Sequence, residues 1–470
     1  MLATATDILW SYILVTVLAV MGLAFTFGSR FVQLRYFGEM FRVLGQAFRH
    51  QGGHVSSFQA LTLSVAGRVG AGNIAGVAVA ITLGGPGAVF WMWVVGLIGM
   101  ATSFFECTLA QAYKTRDKLT GTYRGGPMYY MQRGLGSRKL GMVFTLLLLF
   151  TFGLAFVALQ SYTASSSLEE AFDIPVYVTG IVLTLVIGVT IFGGVQRISR
   201  VTEIVVPVMA IAYILVALVV VAVNITEVPA VFGIIIKSAF GLEQAVGGGI
   251  GAAIMMGVRR GLFSNEAGLG SAPNVAAVAY VPHPVNQGIV QSFSVFIDTA
   301  IICTATAFII VLAGMHEMAS IDDGVVLTQL ALKDHVGGWG ETFVSVTLML
   351  FAFSSILYNF YLGENASRWI NPDDRIFFIV FRLLMLALIL WGSMQDLTTV
   401  FSFADLTMAL LAIVNLVALA FLMKTGFRLM RDYDEQWRAG KTPVFDPERF
   451  SDLEIDHEAW SDAEGALDNR

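Results

Sequence analysis

Long apolar runs separated by short polar connections make up most of the chain. A run of about 20 apolar residues is long enough to cross the hydrocarbon core of a bilayer as a helix. The sequence therefore predicts an all-α polytopic membrane protein. We expect eleven transmembrane helices, at 7–27, 58–82, 87–112, 139–163, 175–193, 202–223, 243–260, 287–314, 341–363, 375–393 and 398–424.

The second run should not remain helical throughout. Its centre, LTLSVAGRVGAGNIAGVAVA at residues 61–80, places Gly67, Gly70 and Gly72 beside the charge of Arg68 and the amide of Asn73. Glycine costs about 1 kcal/mol in a helix interior, and irregular backbone at membrane depth persists only where protein or a watery cavity surrounds it. Secondary transporters build binding sites from helices broken in this way, so we predict half of a site here.

A second glycine cluster, at residues 247–249 and 251, interrupts the run 243–260. Such glycines can also serve close helix packing, but two clusters at corresponding positions favour an inverted repeat with two broken helices. Without the first helix, the remaining ten divide as five plus five. The predicted units are 1–57, an extra helix and a basic loop; 58–223 and 224–424, the two repeats; and 425–470, an acidic tail.

Composition agrees with a membrane protein. Of the 470 residues, 56% are hydrophobic and 13% are charged, against about 25% charged in soluble domains. The net charge is −6, and the acids are concentrated at the end of the chain, where residues from Asp432 onwards include 12 acids and four bases. We therefore expect this tail to be partly disordered. No nucleic-acid partner is expected, because the chain has no basic soluble domain. Cys107 and Cys303 lie in apolar runs and form no metal motif.

Basic residues alternate along the connections. Lys and Arg favour cytoplasmic loops, and acids dominate the intervening connections, for example at Glu169, Glu170 and Asp173. The sequence therefore predicts a multi-pass protein of the cell (inner) membrane, with its N-terminus outside and its C-terminus in the cytoplasm. The basic connections are 28–57 and 113–138, followed by the pairs Arg197 and Arg200, Arg259 and Arg260, and Arg368 and Arg375.

Four passages resemble the alanine or glycine:cation symporter family. They are VGAGNIAGVAVAITLGGPGAVFWMWV (69–94), GMATSFFECTLAQAY (99–113), GVRRGLFSNEAGLGSAPN (257–274) and FIDTAIICTATAF (296–308). The family is similar in fold to the neurotransmitter:sodium symporters, whose first core helix also breaks at G-x-G-N. Here Ala71 stands where family members commonly have Thr, and Arg68 stands where some branches have Thr.

The resemblance implies an amino-acid site at the breaks. Freed carbonyls can accept from an ammonium group, and half-helix N-termini favour a carboxylate. In the first break these groups belong to Gly70, Ala71, Gly72 and Asn73; in the second they belong to Gly248 and Gly249. Asn73 would contact a ligand or cap the second half-helix.

The same resemblance places Gln160 and Tyr162 in the substrate pocket. The alternative for Gln160 is a polar residue that only approaches the membrane surface. Asn359 follows Phe351 and Ser355 on one helical stripe and stands where relatives often carry Trp, which implies a roomier or more polar pocket.

By similarity to the sodium symporter fold, a Na⁺ site is expected from the hydroxyls of Ser354 and Ser355 and the carbonyls of Phe351, Ala66 and Val69. Na⁺ is a hard cation and prefers oxygen ligands. The alternative is that both serines bond back to the preceding helical turn.

Asp298 completes a polar stripe with Gln287, Gln291 and Ser294. A carboxylate at membrane depth is costly unless a cation, a donor or a proton meets it. Two interpretations remain open: a structural ion pair with Arg68, or a role in ion coupling.

These features predict a secondary active symporter that couples Na⁺ influx to uptake of small amino acids such as alanine or glycine, L or D. A H⁺-coupled or glutamine-type carrier of the same fold is the alternative, and a channel is less favoured. No enzyme is expected: the G-x-G-x-x-A match at 70–75 lacks a βαβ context, and no nucleophile–base set is present. The expected ligands are the amino acid, Na⁺ as coupling ion and the lipid bilayer, with no other cofactor, and we expect a monomer.

Overall fold

Each half of the chain is built on a helix that breaks and then continues. The computed structural model describes residues 9–47, 55–117, 121–242, 249–317, 324–371 and 374–461, and most of them are helical. Two helices precede the first half, α1 (residues 9–28) and α2 (Phe37–Ala47). The first half contains α3 (Ser57–Arg68), α4 (Gly72–Gly84), α5 (Gly87–Ala112), α6 (Arg138–Phe172), α7 (Val176–Ile191) and α8 (Gly194–Val223).

The second half repeats this order. A short helix, α9 (Val228–Ala239), leads into it. It contains α10 (Gly249–Asn265), α11 (Ala272–Ala276), α12 (Pro284–Leu312), α13 (Gly324–Val336), α14 (Gly338–Ile370), α15 (Arg375–Ser393) and α16 (Leu397–Arg438). A broken helix followed by four helices of 16 residues or more thus occurs in both halves, with α13 as an insertion in the second.

Short elements complete the chain. A hairpin between α5 and α6 pairs β1 (Thr115–Arg116) with β2 (Tyr123–Arg124) in antiparallel register. Single helical turns occupy Val32–Arg35, Pro127–Tyr129, Tyr130–Gly134, Met315–Glu317, Pro447–Phe450 and His457–Ala459.

Local sequence accounts for the ends of the first broken helix. Ser56 and Gln59 form a capping box at the start of α3, with Gln59 N donating to Ser56 Oγ at 3.1 Å and Ser56 N donating to Gln59 Oε1 at 3.1 Å. α4 stops at Gly85, whose φ of +73° suits glycine. Pro86 then precedes α5, where a proline continues readily into a new helix.

Among the described residues, seven helices are long and apolar enough to cross a membrane, and the bent pair α3 and α4 raises this number to eight. The multi-pass all-helical prediction is therefore confirmed, while the count of eleven stays a prediction. α3 packs on α8 and α14, α10 packs on α4 and α5, and α12 packs on α5. The two breaks consequently lie among packed helices and not at the lipid-facing surface.

Arg259 and Arg260 do not lie in a connection as the charge pattern predicted. They belong to α10, and both contact Asp405 of α16, at 2.9 and 3.4 Å. The helix continues to Asn265, so the predicted run 243–260 ends too early. A shared carboxylate lets the two arginines remain inside the bundle.

The tail is also more ordered than its acidity predicted. Residues 425–438 extend α16, and the segment after it folds back on the protein. Phe445, Phe450 and Trp460 are buried, and Phe445 N donates to Pro282 O at 2.9 Å. These three aromatic side chains bury enough apolar surface to hold the segment, while its acids pair at the rim, as in Arg428–Asp452 at 2.6 Å. Residues 462–470 lie outside the described part of the chain.

Candidate functional site

The first break lies where the glycines predicted it. α3 and α4 meet at an angle of 51°, and Val69 between them is extended, with φ −83° and ψ 92°. Gly70 N donates to Asn73 Oδ1 at 2.9 Å, and Asn73 N donates to Gly70 O at 3.2 Å. The side chain of Asn73 thus stabilises the turn by accepting from Gly70 N, which precedes it. A helix N-cap, as predicted, would accept from a residue that follows it.

A side chain at position 70 would force its neighbours to move. A Cβ there would lie 2.6 Å from Ser355 Oγ and 2.9 Å from Gln160 Nε2. Side chains from α14 and α6 therefore meet directly at the break. Gly72 is nearly as restricted, because its Cβ would lie 3.0 Å from the ring of Phe263.

Gln160 lies at the first break. Its side chain is buried, and its Oε1 accepts from Ala71 N at 3.2 Å. The alternative of a residue that only approaches the membrane surface does not fit this position. Tyr162, two residues further along α6, is half-buried.

Three of the five expected Na⁺ ligands lie on α14, one lies in the last turn of α3 and one is Val69, directly after α3. Ser355 Oγ donates to Ala66 O at 2.8 Å, so α14 and α3 contact each other through two of the predicted ligands. Ser354 Oγ donates to Phe351 O at 3.0 Å within α14, which is the back-bonding alternative for that serine. Val69 is buried at the end of α3.

Asn359 lies one turn beyond Ser355 and is buried. Its Nδ2 has no hydrogen-bond partner among the described residues. An unpaired buried amide donor costs about 1–3 kcal/mol, so this group has an unused capacity to bind a ligand.

Asp298 lies where the two broken helices meet α12. Its carboxylate accepts from Asn73 Nδ2 at 2.6 Å, from Ser264 Oγ at 3.0 and 3.1 Å and from Thr299 Oγ1 at 2.8 Å. Among the described residues, no Lys or Arg comes within ion-pair distance of it. The stretch Phe296–Cys303 around Asp298 is π-helical, a deformation that is frequent at functional sites.

Arg68 does not pair with Asp298, which was one of the two interpretations. Its Nε donates to Asn265 O at 2.7 Å, its Nη1 to Gln291 O at 3.1 Å and to Ser294 Oγ, and its Nη2 to Ser103 Oγ at 3.0 Å. Carbonyl and hydroxyl oxygens therefore solvate this buried guanidinium. Through Asn265 O, Arg68 connects the first break with the second.

The predicted second break at residues 247–251 lies partly outside the described residues, and its described part, from Gly249 onwards, is the first turn of α10. Gly248 lies outside the described residues, and Gly249 is exposed at the beginning of α10, where a Cβ would meet nothing within 4 Å. The helix instead breaks between Asn265 and Ala272, with positive φ at Glu266 (54°), Gly268 (88°) and Gly270 (81°). The physical reason is that Gly249 and Gly251 lie at an exposed end of α10, whereas Gly268 and Gly270 are buried inside the bundle.

Side chains outside the prediction fix this second break. Tyr358 OH donates to Glu266 Oε2 at 3.0 Å, and Ser271 Oγ donates to the same oxygen at 2.6 Å. Glu106 Oε1 accepts from Gly268 N at 3.2 Å, and Glu106 Oε2 accepts from Asn415 Nδ2 at 3.0 Å. The sequence signal was the motif NEAGLGS at 265–271, in which two glycines follow an acid directly after an apolar helix.

Ser264, Thr299 and Thr306 were likewise missing from the predicted site. Thr306 Oγ1 donates to Asn73 O at 2.7 Å and lies 2.7 Å from Tyr213 OH.

Two helices broken inside the bundle, with side chains of neighbouring helices at each break, define a secondary transporter of the sodium-symporter fold. A manganese transporter of Eremococcus coleocola shares this fold, with a TM-score of 0.51, 14% identity and coverage of 77% of this chain and 76% of that chain.

The chain belongs to the sodium:alanine symporter family, whose sequence profile matches residues 1–447. It is 47% identical over 456 residues to the amino-acid carrier protein AlsT of Bacillus subtilis, covering 97% of this chain and 96% of that protein. It is also 47% identical over 443 residues to a Bacillus subtilis protein named "Probable sodium/glutamine symporter GlnT", covering 94% and 92%. The protein is therefore a transporter and not an enzyme.

Proposed function

We propose that this chain couples Na⁺ influx to the uptake of a small neutral amino acid, such as alanine or glycine, by alternating access. The observation that carries this proposal is the meeting of Gly70, Gln160 and Ser355 at one break. The bonding groups for an amino acid and the oxygens for Na⁺ are therefore adjacent at this break.

The residues divide by chemistry. The backbone at Gly70–Gly72, the amides of Asn73 and Gln160 and the free Nδ2 of Asn359 would bind the zwitterion, with Tyr162 as a wall. Ser355, Ser354 and the carbonyls of Ala66, Val69 and Phe351 would bind Na⁺, since a hard cation prefers oxygen ligands. In this proposal Gly249 has no part, because it lies at the surface.

Alternating access requires that the bundle carrying the broken helices rock against the other helices. A Na⁺ between Ala66 and Ser355 would hold α3 against α14 and favour the outward-facing state. We assign the N-terminus to the outside, the C-terminus to the cytoplasm, the protein to the cell (inner) membrane and its functional unit to a monomer.

The test is uptake by purified protein in liposomes. Labelled alanine, glycine and glutamine are supplied with Na⁺ or with choline at equal ionic strength, and we expect Na⁺-dependent alanine or glycine uptake. Glutamine as the only accepted substrate would replace the substrate proposal. Counterflow distinguishes a carrier from a channel, because only a carrier exchanges labelled substrate against its gradient.

A second candidate is a H⁺-coupled carrier. The observation that favours it is the buried carboxylate of Asp298, which contacts Asn73 at the first break and Ser264 before the second. Uptake that follows a pH step without Na⁺ would select this candidate.

A further inference from the structure

A cavity lined by five arginines lies on the face of the protein that carries the C-terminal tail. Its volume is about 480 Å³. The arginines are Arg116, Arg124, Arg133, Arg138 and Arg368. Of the described residues that line the cavity, two are acids, Asp117 and Asp456, so the lining concentrates positive charge.

Three of these arginines already have a carboxylate nearby. Arg124 Nε lies 2.7 Å from Asp117 Oδ2, and Arg368 Nη2 lies 3.0 Å from Oε1 of Glu364. Arg133 Nη1 is 3.9 Å from Asp456 Oδ2, which is a long contact.

Arg116 and Arg138 differ from the other three. Within the described ranges, neither has a carboxylate within 4 Å. Arg138 instead lies against the ring of Trp369, at 5.8 Å from the ring centroid. Two guanidinium groups therefore face the cavity with their charge uncompensated, and guanidinium geometry suits phosphate oxygens.

The cavity lies at the level of a membrane surface. Arg138 is the first residue of α6, and Arg368 is in the last turn of α14. Both helices are long enough to cross the bilayer, so their ends lie where lipid headgroups are found. Basic cavities between transmembrane helices are known to bind anionic headgroups.

We propose that this cavity binds a phosphate-bearing anion, either the headgroup of an anionic lipid or a soluble phosphate ester, through Arg116 and Arg138. A bound phosphate would connect β1, which carries Arg116, with the start of α6, which carries Arg138. Arg138 also lies against Trp369 at the end of α14. Because α6 carries Gln160, the ligand would stabilise a helix that reaches the first break. Asp456 of the tail occupies part of the cavity and competes with the anion.

The test measures lipid binding to the full chain in detergent by native mass spectrometry. Phosphatidylglycerol is compared with zwitterionic phosphatidylcholine, and pyrophosphate is the soluble probe. The variant is Arg116→Gln with Arg138→Gln. The control is Lys139→Gln with Arg200→Gln, which removes the same charge from two exposed residues outside the cavity.

We expect the first pair to raise the apparent Kd for phosphatidylglycerol about tenfold, since each basic residue near a membrane surface contributes appreciably to anion binding. The control should change it by less than about twofold. If pyrophosphate competes with phosphatidylglycerol, the phosphate is the recognised group. If phosphatidylglycerol binds and pyrophosphate does not, the ligand is the lipid headgroup.

Asp456→Asn removes the competing carboxylate and should tighten phosphate binding. A lower phosphate affinity in Asp456→Asn would contradict the proposal. Equal phosphatidylglycerol affinity in both double variants would overturn the proposal, and so would phosphatidylcholine binding as tight as that of phosphatidylglycerol. Thermal unfolding without lipid confirms that both double variants fold. We expect this result because neither Arg116 nor Arg138 holds an ion pair with any described residue.

Discussion

Ser355 Oγ donates to the carbonyl oxygen of Ala66 across 2.8 Å. This contact joins α14 to the last turn of α3 before it breaks. Both atoms are oxygens of the kind that Na⁺ prefers, so a Na⁺ at this position would replace a single hydrogen bond with bonds to both helices. Ion binding and the relative position of the two helices would then be linked.

The first prediction follows from this link. Ser355→Ala removes one oxygen ligand and should raise the Na⁺ concentration for half-maximal uptake about tenfold or more. The half-saturation for alanine, measured at saturating Na⁺, should change much less. Linkage also requires that substrate raise Na⁺ affinity by the same factor as Na⁺ raises substrate affinity.

The matched control is Ser367→Ala on the same helix. Ser367 is buried, and its hydroxyl has no partner among the described residues. Removing it should leave both half-saturation values unchanged. A Na⁺ half-saturation in Ser355→Ala equal to that of the control would place the ion elsewhere.

The second prediction concerns the amides at the break. Gln160→Ala leaves Ala71 N without its acceptor, and Asn73→Ala removes the acceptor of Gly70 N and a donor to Asp298. A buried unpaired group costs about 1–3 kcal/mol, so we expect substrate affinity to fall about tenfold or more while expression persists. Binding is measured by displacement of labelled alanine.

Gln329→Ala is the control for these variants. Gln329 is also buried, and its Nε2 donates to Ser167 and Ser345 far from the break. This variant should lower stability without lowering substrate affinity. Equal losses of affinity in all three variants would mean that the amides act on folding alone.

The third prediction tests the space at the break. Gly70→Ala places a Cβ 2.6 Å from Ser355 Oγ, so we expect transport to be lost although the protein inserts in the membrane. Gly76→Ala, in the same broken helix, meets only ordinary contacts at 3.8 Å and beyond and should transport normally. Loss of uptake in both would point to general sensitivity of this helix.

How far the sequence predicted this site depends on where each glycine cluster lies. Gly70 and Gly72 stand beside Asn73 in the middle of an apolar run, which favours a break at this position. The structure confirms this break. Gly249 carries the same local signal, but its environment is an exposed helix end. Glycine density alone does not distinguish a break from a frayed end.

The contacts that fix the second break could not be predicted from the sequence, for a different reason. The second break is fixed by Glu106 and Tyr358, which are distant in sequence from Gly268 and Glu266. Charge density also predicts a disordered tail, because it does not register three buried aromatic residues: Phe445 contacts His283, and Phe450 and Trp460 pack on Phe445. Composition averages over such a segment, whereas packing depends on a few side chains.

The fourth prediction separates the two coupling ions. Asp298 accepts from three neighbouring side chains, so Asp298→Asn replaces one carboxylate oxygen with a donor that faces other donors. We expect uptake to fall about tenfold or more. If Na⁺ alone drives transport, wild-type uptake at saturating Na⁺ is insensitive to an imposed pH step. A wild-type response to the pH step that disappears in Asp298→Asn would support H⁺ coupling instead.

The last prediction concerns Lys114, just beyond the end of α5. Its side chain is 1% exposed, and its Nζ lies 4.0 Å from the centroid of the Trp460 ring and 4.2 Å from that of Tyr123. Burial lowers the pKa of this lysine from 10.5 to about 7. The two rings favour the ammonium form, but the loss of hydration outweighs them.

The sign of the pH effect follows from proton counts. Between about pH 7 and pH 10.5 the unfolded chain keeps the proton on Lys114 and the folded protein releases it. Stability therefore rises with pH in this window, by at most about 1.4 kcal/mol per pH unit. Below pH 7 Lys114 is protonated in both the folded and the unfolded protein. The folded protein is then destabilised by the full free-energy cost of burying the ammonium group.

Lys114→Met keeps the aliphatic length and removes the ammonium group. We expect the variant to be the more stable protein at pH 6 and its advantage to shrink between pH 7 and pH 9. Thermal unfolding in detergent at these pH values measures the difference. Lys139→Met, at an exposed position, should follow wild type throughout. A difference between wild type and Lys114→Met that stays constant from pH 6 to pH 9 would show that Lys114 keeps its proton in the folded protein, and the contact with Trp460 would then be a stable cation–π interaction.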